Sequence, residues 1–517
     1  MNYSDFCAII FTDIDLLTKK NGSSGARKEG FVMTRVLTAK EMKACDEYTI
    51  DKEGVPSSVL MQRAAEAVAQ EIAAGGFDPS SVLVLCGNGN NGGDGFALAS
   101  ILAQNSDNST STYFMGDDAK MTDECAKRRR TCIARPMTEF SLDGVTLIVD
   151  AIYGIGFRGV PDEKTAEIIN KVNESEIPVV AIDLPSGVEA DSGAVNSVAI
   201  KATLTVAIAA LKRCHLLHPG KTHSGRVVVR DIGIGFDALP DSALTVYTQN
   251  DLKMPPRDPD ANKGSCGKLL VVAGSPCMAG AAYLSALAAY RTGAGLVRIF
   301  THEDNRVILQ TLIPEAVMTT YKADEDPEFV LSEAVEQADA VLIGPGLSTS
   351  KQAHKLLKTV LKCAPERLVI DADGLNLISK SNVLRSKIPA NAILTPHLGE
   401  MARLTGESVG RIKSEKPEYA ANLAREIGAI CVLKDSVTAV SDGKECYLNQ
   451  TGNAGMAKAG SGDVLAGIIG ALLAQGLPQF DAARLGVYLH GRAGDKAVEN
   501  RSEHSLLARE IAENINS

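Results

Sequence analysis

The sequence predicts two consecutive α/β domains, each with a mainly parallel β-sheet covered by helices. Its 517 residues exceed what one hydrophobic core usually organises. Short β-branched runs alternate with helical patterns along both halves of the chain. Between the halves, residues 237–263 hold four prolines among many polar residues, which marks a domain boundary. We therefore expect a three-layer domain at residues 35–246 and a second α/β domain at residues 247–517.

Composition and charge limit the classes of partner. The chain is 45% apolar and 22% charged, which is ordinary for globular proteins, and its formal net charge is −10. No overall positive field is available to hold a nucleic-acid backbone or an anionic membrane. The eleven cysteines include no CxxC pair, which favours reduced thiols in the cytoplasm over a disulfide framework. We expect a cytoplasmic homo-oligomer that acts on small molecules, with neither nucleic acid nor membrane as partner.

The start of the first domain has a recognisable helix signal. Residues 1–34 are expected to be a disordered extension or a mis-assigned start, because much of this segment is polar and glycine-bearing. Thr38 and Glu41 have the spacing of a capping box, which predicts a helix that begins at Ala39 and buries Met42.

Apolar runs and helical periods predict the elements of both sheets. In the first half, strands are predicted at residues 82–85, 146–149, 179–182 and 205–208, with helices at residues 95–104 and 163–174. In the second half, strands are predicted at residues 269–273, 296–300, 340–343, 367–370, 392–394 and 430–433. Asp442 and Gly443 lie between two further β-branched or apolar runs, which predicts a hairpin.

A glycine-rich turn, GNGNNGGDG at residues 87–95, lies between a predicted strand and a predicted helix. Its glycines let backbone N–H groups approach an anion at the helix N-terminus, although such a turn is often only a tight connection. Two further predicted strands lead into VDAIYGIGFRG at residues 149–159 and AIDLPSG at residues 181–187. This arrangement predicts a Rossmann-like first domain with one crevice at the carboxyl ends of its strands.

The polar residues of these loops suit three kinds of chemistry. Asp94, Asp150 and Asp183 should lie near one another in the crevice, although each of them alone suits a helix cap equally well. Backbone amides and Arg158 suit a pyrophosphate, and carboxylate and amide oxygens suit a monovalent cation. An aspartate also suits proton transfer.

In this order, the three segments resemble the N-terminal domain of bacterial NAD(P)H-hydrate repair enzymes. The resemblance implies an epimerase that interconverts the R and S forms of hydrated NADH and NADPH, with Asp183 as a catalytic residue. It implies substrate contacts at Asn90, Asn91, Gly92, Gly93, Asp94, Gly154, Ile155, Gly156, Phe157, Arg158, Gly159, Val160 and Asp183. It implies potassium ligands at Asn91, Asp150 and Ser186.

The segment KAGSGD at residues 458–463 precedes a predicted apolar helix. Small residues that open a helix expose N–H donors to a phosphoryl group, and Asp463 there can take a proton from an attacking hydroxyl. A plain helix cap is the alternative. Three strand-end loops are expected to converge on it, namely GPG at residues 344–346, DADGLN at residues 371–376 and TPHLGE at residues 395–400. Glu400 suits a magnesium-bound water, and His397 suits a hydrogen bond to substrate.

Together these segments resemble the ribokinase-like fold, and more specifically the ADP-dependent NAD(P)H-hydrate dehydratases, over residues 263–512. The resemblance implies that Asp463 is the catalytic base, that ADP is the co-substrate and that Mg²⁺ is required. It implies contacts with the hydrated cofactor at Ala282, Gly346, His397 and Asp463. It implies a nucleotide site at Lys434, Asp435, Ser436, Val437, Thr438 and Gly462.

Two other functions fit parts of the sequence. A ribokinase-type kinase for a small molecule would use the same N–H donors and aspartate, but it leaves the first half unexplained. The first half alone fits a binding module, because relatives of that domain serve as interaction domains. The three retained aspartates and the acidic balance argue against RNA binding there.

Overall fold

The structure is a computed structural model that describes residues 34–104, 109–239, 244–246, 254–322, 325–499 and 501–515. The chain divides into two units, Met1–Ala243 and Leu244–Ser517. The predicted N-terminal extension lies outside the described residues except for Thr34, which begins the first strand. The capping box predicted for Thr38 and Glu41 is present, and the helix that follows begins at Ala39.

The N-terminal unit alternates strands and helices as the sequence predicts. Its strands are β1 (Thr34–Leu37), β2 (Ser81–Cys86), β3 (Ser109–Phe114), β4 (Arg135–Met137), β5 (Leu147–Ala151), β6 (Val179–Ile182), β7 (Leu204–Ile208), β8 (Leu211–Lys212) and β9 (Arg226–Arg230). Its helices are α1 (Ala39–Asp51), α2 (Ser57–Ala74), α3 (Asn90–Leu102), α4 (Asp123–Thr131), α5 (Glu163–Glu174) and α6 (Gly220–His223). All four predicted strands and both predicted helices are confirmed, although α3 begins earlier than predicted, within the glycine-rich turn.

The main sheet of this unit is parallel and has the order β4-β3-β2-β5-β6-β7-β9. The chain runs outward from β2 to β3 and β4, and then returns to form β5 on the other side of β2. Loops that leave β2 and β5 therefore diverge, and the crevice between them is where open α/β sheets bind ligands. β1 and β8 form a separate parallel pair.

Both faces of this sheet are buried. Successive residues of a strand point to opposite sides of the sheet, and in β2 the residues on both sides are apolar and join a core. From β2, Val82 and Val84 join a core that includes residues of α2 and α3. Leu83 and Leu85, which alternate with them, join a second core that includes Ile168 of α5. The result is a three-layer domain, as predicted.

The C-terminal unit is also α/β. Its strands are β10 (Thr245–Val246), β11 (Lys268–Val272), β12 (Leu296–His302), β13 (Val317–Tyr321), β14 (Ala340–Ile343), β15 (Leu368–Ile370), β16 (Ile393–Leu394), β17 (Ile430–Leu433), β18 (Ala439–Ser441) and β19 (Cys446–Leu448). Its helices are α7 (Ala279–Arg291), α8 (Arg306–Leu312), α9 (Glu328–Glu336), α10 (Lys351–Cys363), α11 (Asp373–Ser379), α12 (Asn382–Arg385), α13 (Leu398–Thr405), α14 (Val409–Ser414), α15 (Lys416–Ile427), α16 (Ser461–Ala474), α17 (Gln479–Val498) and α18 (Ala508–Glu513). The six predicted strands and the predicted hairpin are confirmed.

Within this unit the strand order is β13-β12-β11-β14-β15-β16-β17-β18-β19-β10. In the order from β13 to β17, neighbouring strands run parallel to each other. β18 runs antiparallel to both of its neighbours, β17 and β19. Helix α16 is apolar on all sides and buried along nearly its whole length, in one core with α7 and the centre of the sheet. None of the helices in the described ranges is long and apolar enough to cross a membrane.

Candidate active sites

The turn after β2 brings backbone segments closer together than a side chain permits. A Cβ on Gly87 would lie 2.0 Å from the Ile152 carbonyl oxygen, and one on Gly92 would lie 2.0 Å from the Gly87 carbonyl oxygen. Packing therefore requires these two glycines. Gly89 has open space beside it and precedes α3 without any side-chain cap. The first N–H groups of α3 are thus available to an anion.

Oxygen atoms from three loops meet beside this turn. The buried Asp150 carboxylate accepts hydrogen bonds from the Ser186 N–H at 2.7 Å and from the Ser186 hydroxyl at 2.5 Å. Asn91 Nδ2 donates to the Tyr153 carbonyl at 2.9 Å. Burial raises the pKa of Asp150 to about 6, although the Ser186 hydrogen bonds lower it. The structure brings together the three predicted potassium ligands and adds the Tyr153 carbonyl, which lies 3.4 Å from the Ser186 hydroxyl.

The loop after β6 carries Asp183, which is held by groups from the β7–β8 segment. Lys212 Nζ donates to Asp183 Oδ1 at 2.5 Å and to the Ile208 carbonyl at 2.6 Å, and the Lys212 side chain is only 1% exposed. His215 Nδ1 accepts from the Lys212 N–H at 3.0 Å, so its Nε2 carries the proton and donates to the Asp183 carbonyl at 2.8 Å. Burial lowers the pKa of His215 to about 4, so this ring is neutral. Asp183 adopts a left-handed φ of 68°, which is strained for a residue with a side chain.

Two further carboxyl groups interact electrostatically with Asp183. Burial raises the pKa of Asp94 well above its usual value, and the negative charges of Asp183 and Asp46 raise it further. Burial also raises the pKa of Asp46 to about 6; the Lys212 ammonium opposes this shift and Asp183 adds to it. Burial therefore favours the protonated form of the Asp94 carboxyl, and the nearby negative charges act in the same direction.

The glycine-bearing loop after β5, at residues 154–160, is mostly exposed. Phe157 stacks on Tyr153 with ring centroids 4.6 Å apart. Arg158, which the sequence suggests as a pyrophosphate ligand, lies 2.6 Å from the Asp191 carboxylate. The arginine is thus already paired within its own unit, and the loop offers mainly backbone groups to a ligand.

In the C-terminal unit, α16 begins at the predicted phosphate-binding segment. Gly460 precedes it with a left-handed φ of 91°, and a Cβ there would lie 2.5 Å from Leu284 Cδ1, so glycine is required. The Ser461 hydroxyl lies 3.2 Å from His490 Nε2 instead of capping the helix. The Ser461 N–H donates to the Lys458 carbonyl at 3.3 Å, whereas the next two N–H groups, of Gly462 and Asp463, are open to an anion.

Asp463, in the first turn of α16, lies near a buried ion pair. Lys434 Nζ donates to Asp371 Oδ1 at 2.7 Å, and the Thr395 hydroxyl donates to the same oxygen at 2.6 Å. Burial raises the pKa of Asp463 to about 7; Asp371 adds to this shift and Lys434 opposes it. Burial acts to lower the pKa of Lys434, but the charges of Asp371 and Glu400 outweigh it and raise that pKa. A charged ammonium therefore stands beside a carboxyl that titrates near neutral pH.

His397 and Glu400 form a capping box at the start of α13. His397 Nδ1 accepts from the N–H groups of Gly399 at 2.9 Å and Glu400 at 3.3 Å, and Glu400 Oε2 accepts from the His397 N–H at 2.8 Å. Because Nδ1 is an acceptor, Nε2 carries the proton of this half-exposed ring, and it lies 3.4 Å from Glu400 Oε1. Glu400 is buried in the cap, and burial raises its pKa to about 7; its contact with a magnesium-bound water stays a prediction.

Gly346 and Ala282 occupy different environments. Gly346, in the loop after β14, has a left-handed φ of 57°, and a Cβ there would lie 2.8 Å from Ala281 Cβ. Ala282 is fully buried in the core of the unit. The side chains beside Gly346 are therefore those of Ala281 and Met278, and the substrate contact of Ala282 stays a prediction.

A buried lysine braces the predicted nucleotide segment. Lys416 Nζ lies 2.5 Å from Asp435 Oδ2 and donates to the Val437 carbonyl at 3.0 Å. A Cβ on Gly462 would lie 3.3 Å from Lys434 Nζ, so this segment and the start of α16 are adjacent. Ser436 is exposed beside them, whereas the Val437 side chain is buried and leaves only its backbone to a ligand.

Sequence reasoning missed Asp46, Lys212, His215 and Lys416. None of them lies in a glycine-rich motif. Of these four residues, only Lys212 stands out in the sequence. It is a charged residue directly after the mostly apolar run at residues 204–211, which includes β7. A lysine in such a position is buried only when a carboxylate or carbonyl partner is present.

Two α/β units with uncapped helix N-termini and proton-transfer groups at the carboxyl ends of their strands define an enzyme that acts on phosphorylated ligands. The family described as YjeF-related protein N-terminus matches residues 57–214, and the family described as NAD(P)H-hydrate dehydratase matches residues 269–517. A bifunctional NAD(P)H-hydrate repair enzyme from Moorella thermoacetica is 35% identical over 506 residues, which cover 92% of this chain and 95% of that protein. The Escherichia coli enzyme of the same description is 34% identical over 485 residues, which cover 92% of each.

A solved structure, an ADP/ATP-dependent NAD(P)H-hydrate dehydratase from Bacillus subtilis co-crystallised with ATP and Mg²⁺, is 32% identical. The similarity covers 50% of this chain and 91% of that chain, with a TM-score of 0.45. From the two relatives that match almost end to end, the chain belongs to the family of bifunctional NAD(P)H-hydrate repair enzymes. The family and fold class predicted from the sequence are thereby confirmed.

Proposed function

We propose that the protein repairs hydrated NADH and NADPH by two reactions. The N-terminal unit interconverts the R and S hydrates, and the C-terminal unit uses ADP to dehydrate the S hydrate, releasing AMP and phosphate. Membership of the family over both halves supports both reactions. The observation that carries the proposal is Asp463, a carboxyl titrating near pH 7 at the open N-terminus of α16.

In the dehydratase reaction, Asp463 takes the proton of the ring hydroxyl while the hydroxyl oxygen attacks the β-phosphorus of ADP. The bond from that phosphorus to AMP breaks, and the N–H groups of α16 and the Lys434 ammonium stabilise the transferring phosphoryl group. The ring nitrogen lone pair then expels phosphate, and loss of a proton from the neighbouring carbon restores the dihydropyridine. His397 Nε2 is placed to donate a hydrogen bond to the substrate.

The nucleotide is assigned to Lys434, Asp435, Ser436, Val437, Thr438 and Gly462. Lys416 supports this assignment because its buried ammonium pairs with Asp435 and donates to the Val437 carbonyl, which holds this segment in place. Mg²⁺ neutralises phosphate charge when it is bound. Among the described residues no group of three or more His, Cys, Asp or Glu side chains could hold a metal. In nucleotide sites Mg²⁺ usually keeps several waters and is bound through one or two carboxylates and the substrate phosphates, so it would not need such a group here.

In the epimerase reaction, one group protonates the ring hydroxyl as its carbon–oxygen bond breaks, and the ring nitrogen lone pair stabilises the carbon as an iminium ion. Water then adds to the opposite face of that carbon, and a second group accepts the proton that the water loses. Burial, together with the charges of Asp183 and Asp46, raises the pKa of Asp94 well above its usual value, which suits this carboxyl to donate a proton. Asp183 is paired with Lys212 and is placed to accept. The two carboxyl groups supply the acid and the base.

Potassium is assigned to Asn91, Asp150 and Ser186, with the Tyr153 carbonyl as a further ligand. One carboxylate with amide, hydroxyl and carbonyl oxygens is a hard donor set of low charge, which fits a monovalent cation better than a divalent one. A potassium ion held by these oxygens would supply positive charge beside the anion-binding turn of α3.

The test starts from the purified R hydrate of NADH. With full-length protein, K⁺, ADP and Mg²⁺, the absorbance of the dihydropyridine should be recovered completely. Without ADP, absorbance should stay low while chromatography shows that the S hydrate forms. A kinase of a different substrate would consume nucleotide without any recovery of absorbance, and that outcome contradicts the proposal. Replacing ADP with ATP checks the proposed preference for ADP. The cytoplasmic location and the homo-oligomeric state stay predictions.

A further inference from the structure

A cavity of about 300 Å³ opens at the carboxyl ends of β2, β3 and β5 in the N-terminal unit. Met115, Tyr153 and the buried Ile168 give it an apolar wall. The exposed residues Asp117, Lys120 and Lys164 give it a charged rim. The volume is at the lower end of the range for small-molecule pockets, so it accommodates part of a dinucleotide rather than the whole of it.

We propose that this cavity binds the adenosine half of the hydrated dinucleotide on which the epimerase site acts; the proposal rests on the function proposed above. Asp183 follows β6 and acts electrostatically on Asp94 in α3, whereas the cavity is lined by the loops after β2, β3 and β5 and by α5. The open N-terminus of α3 lies between them, at the point where the strand order changes direction. A dinucleotide bound along this crevice therefore presents its nicotinamide to the carboxyl groups, its pyrophosphate to α3 and its adenosine to the cavity.

Asp117 occupies the position that recognises a ribose in such sheets. It follows β3, the next strand after the glycine-rich turn, where an acidic residue accepts hydrogen bonds from the adenosine ribose. The Asp117 N–H donates to Asn88 Oδ1 at 2.7 Å, which ties this residue to the turn. Asp117 Oδ1 accepts from the Ala119 N–H at 3.0 Å, and its Oδ2 lies 3.7 Å from Lys120 Nζ. The Asp117 carboxylate at the cavity rim suits a ribose hydroxyl, and its negative charge disfavours a 2′-phosphate there.

The opposite rim is formed by α5. Lys164 is exposed, and its ammonium lies 5.8 Å from the centre of the Tyr113 ring. Thr165 and Ile168, on the same helix, are buried in the cavity wall. A purine ring that packs against the apolar wall would thus have the Lys164 ammonium on one side. The Asp117 carboxylate, on the other side, would be near its ribose.

The experiment measures epimerisation by full-length protein without ADP, so that the dehydratase does not contribute to the readout. Asp117→Ala should raise the KM for NADH hydrate about tenfold and weaken inhibition by AMP by a similar factor, because a hydrogen bond to a charged group is lost. Lys164→Glu should change both quantities in the same direction. Lys171→Glu is the matched control, because Lys171 is also exposed on α5 but is not part of the cavity wall.

Two comparisons separate this inference from the proposed function. Hydrated reduced nicotinamide mononucleotide lacks adenosine, so its KM should be the same in the parent and in both rim variants. The parent should also have a lower KM for NADH hydrate than for NADPH hydrate. Parental KM and parental AMP inhibition in both rim variants would overturn the assignment of the cavity. If the parent does not interconvert hydrates at all, the proposed function fails. Crystals soaked with AMP then test whether the cavity binds adenosine: adenosine density there supports the inference, and its absence overturns it.

Discussion

Lys434 donates a hydrogen bond to Asp371 at 2.7 Å, and the two charges act in opposite directions on Asp463. Burial and the Asp371 carboxylate raise the pKa of Asp463 to about 7, while the Lys434 ammonium lowers it. A base works only when it is deprotonated. The kcat/KM for dehydration of the S hydrate should therefore rise with pH through about 7, instead of through the usual range of an aspartate near 4.

The ion pair allows a sign test of whether the titrating group lies beside it. Glu400, whose pKa burial also raises to about 7, is acted on by the same two charges, so the Asp463→Asn variant distinguishes the two carboxyl groups. Lys434→Met removes a positive charge and should move the midpoint of the pH profile upward, whereas Asp371→Asn removes a negative charge and should move it downward. Both variants should also lose rate, so the measured quantity is the midpoint of kcat/KM against pH. Asp260→Asn changes an exposed carboxylate in the same unit and should leave the midpoint unchanged. Shifts of both variants in the same direction would show that the titrating group is not Asp463.

Asp463→Asn should abolish dehydration, because it keeps the size of the side chain but removes the proton acceptor. One general base contributes about 10² to 10⁴ in rate. Binding of ADP, measured by calorimetry, should remain close to that of the parent because the N–H groups of α16 are unchanged. Conversion of R to S hydrate should also survive. Dehydration at the parental rate would exclude Asp463 as the base.

Asp183→Ala should stop recovery of the R hydrate while leaving dehydration of the S hydrate intact, because the change lies only in the N-terminal unit. Lys212→Met should have the same effect on activity, since the Asp183 carboxylate loses its buried partner. It should also destabilise this unit by about 3 kcal/mol, measured as a shift of its thermal transition, because a buried charge is left unpaired. Adding Asp183→Asn to Lys212→Met should restore part of the stability but none of the epimerase activity. Equal loss of both activities in Asp183→Ala would contradict two separate sites.

The sequence predicted the buried central strands well, because they are continuous apolar runs. Strands with other patterns were missed. β3 has the sequence STSTYF, with Thr110 and Thr112 buried in place of aliphatic residues, and β9 begins and ends with arginine. A local hydrophobic pattern cannot identify a strand whose pairing is decided by its neighbours in the sheet.

The same limit applies to the active sites. Asp94, Asp183 and Asp463 were predicted because each lies in a short motif next to glycine or proline. Lys212 was not predicted, since its partner Asp183 is 29 residues away and only the fold brings them together. Motifs mark the groups that face a ligand, whereas the charges that tune those groups come from distant segments of the chain.

The last prediction concerns the cation of the epimerase site. Replacing K⁺ with Li⁺ should lower the rate of conversion of R to S hydrate about tenfold or more, because a small cation cannot contact the spaced oxygens of Asn91, Asp150 and Ser186 together. Dehydration of the S hydrate in the same buffer serves as the internal control for the C-terminal unit. K⁺ should raise the melting temperature of the N-terminal unit in the parent, since a ligand that binds only the folded state stabilises it. Asn91→Ala should remove that stabilisation together with the difference between K⁺ and Li⁺. Equal melting temperatures and equal epimerisation rates of the parent in the two salts would show that these oxygens bind no potassium.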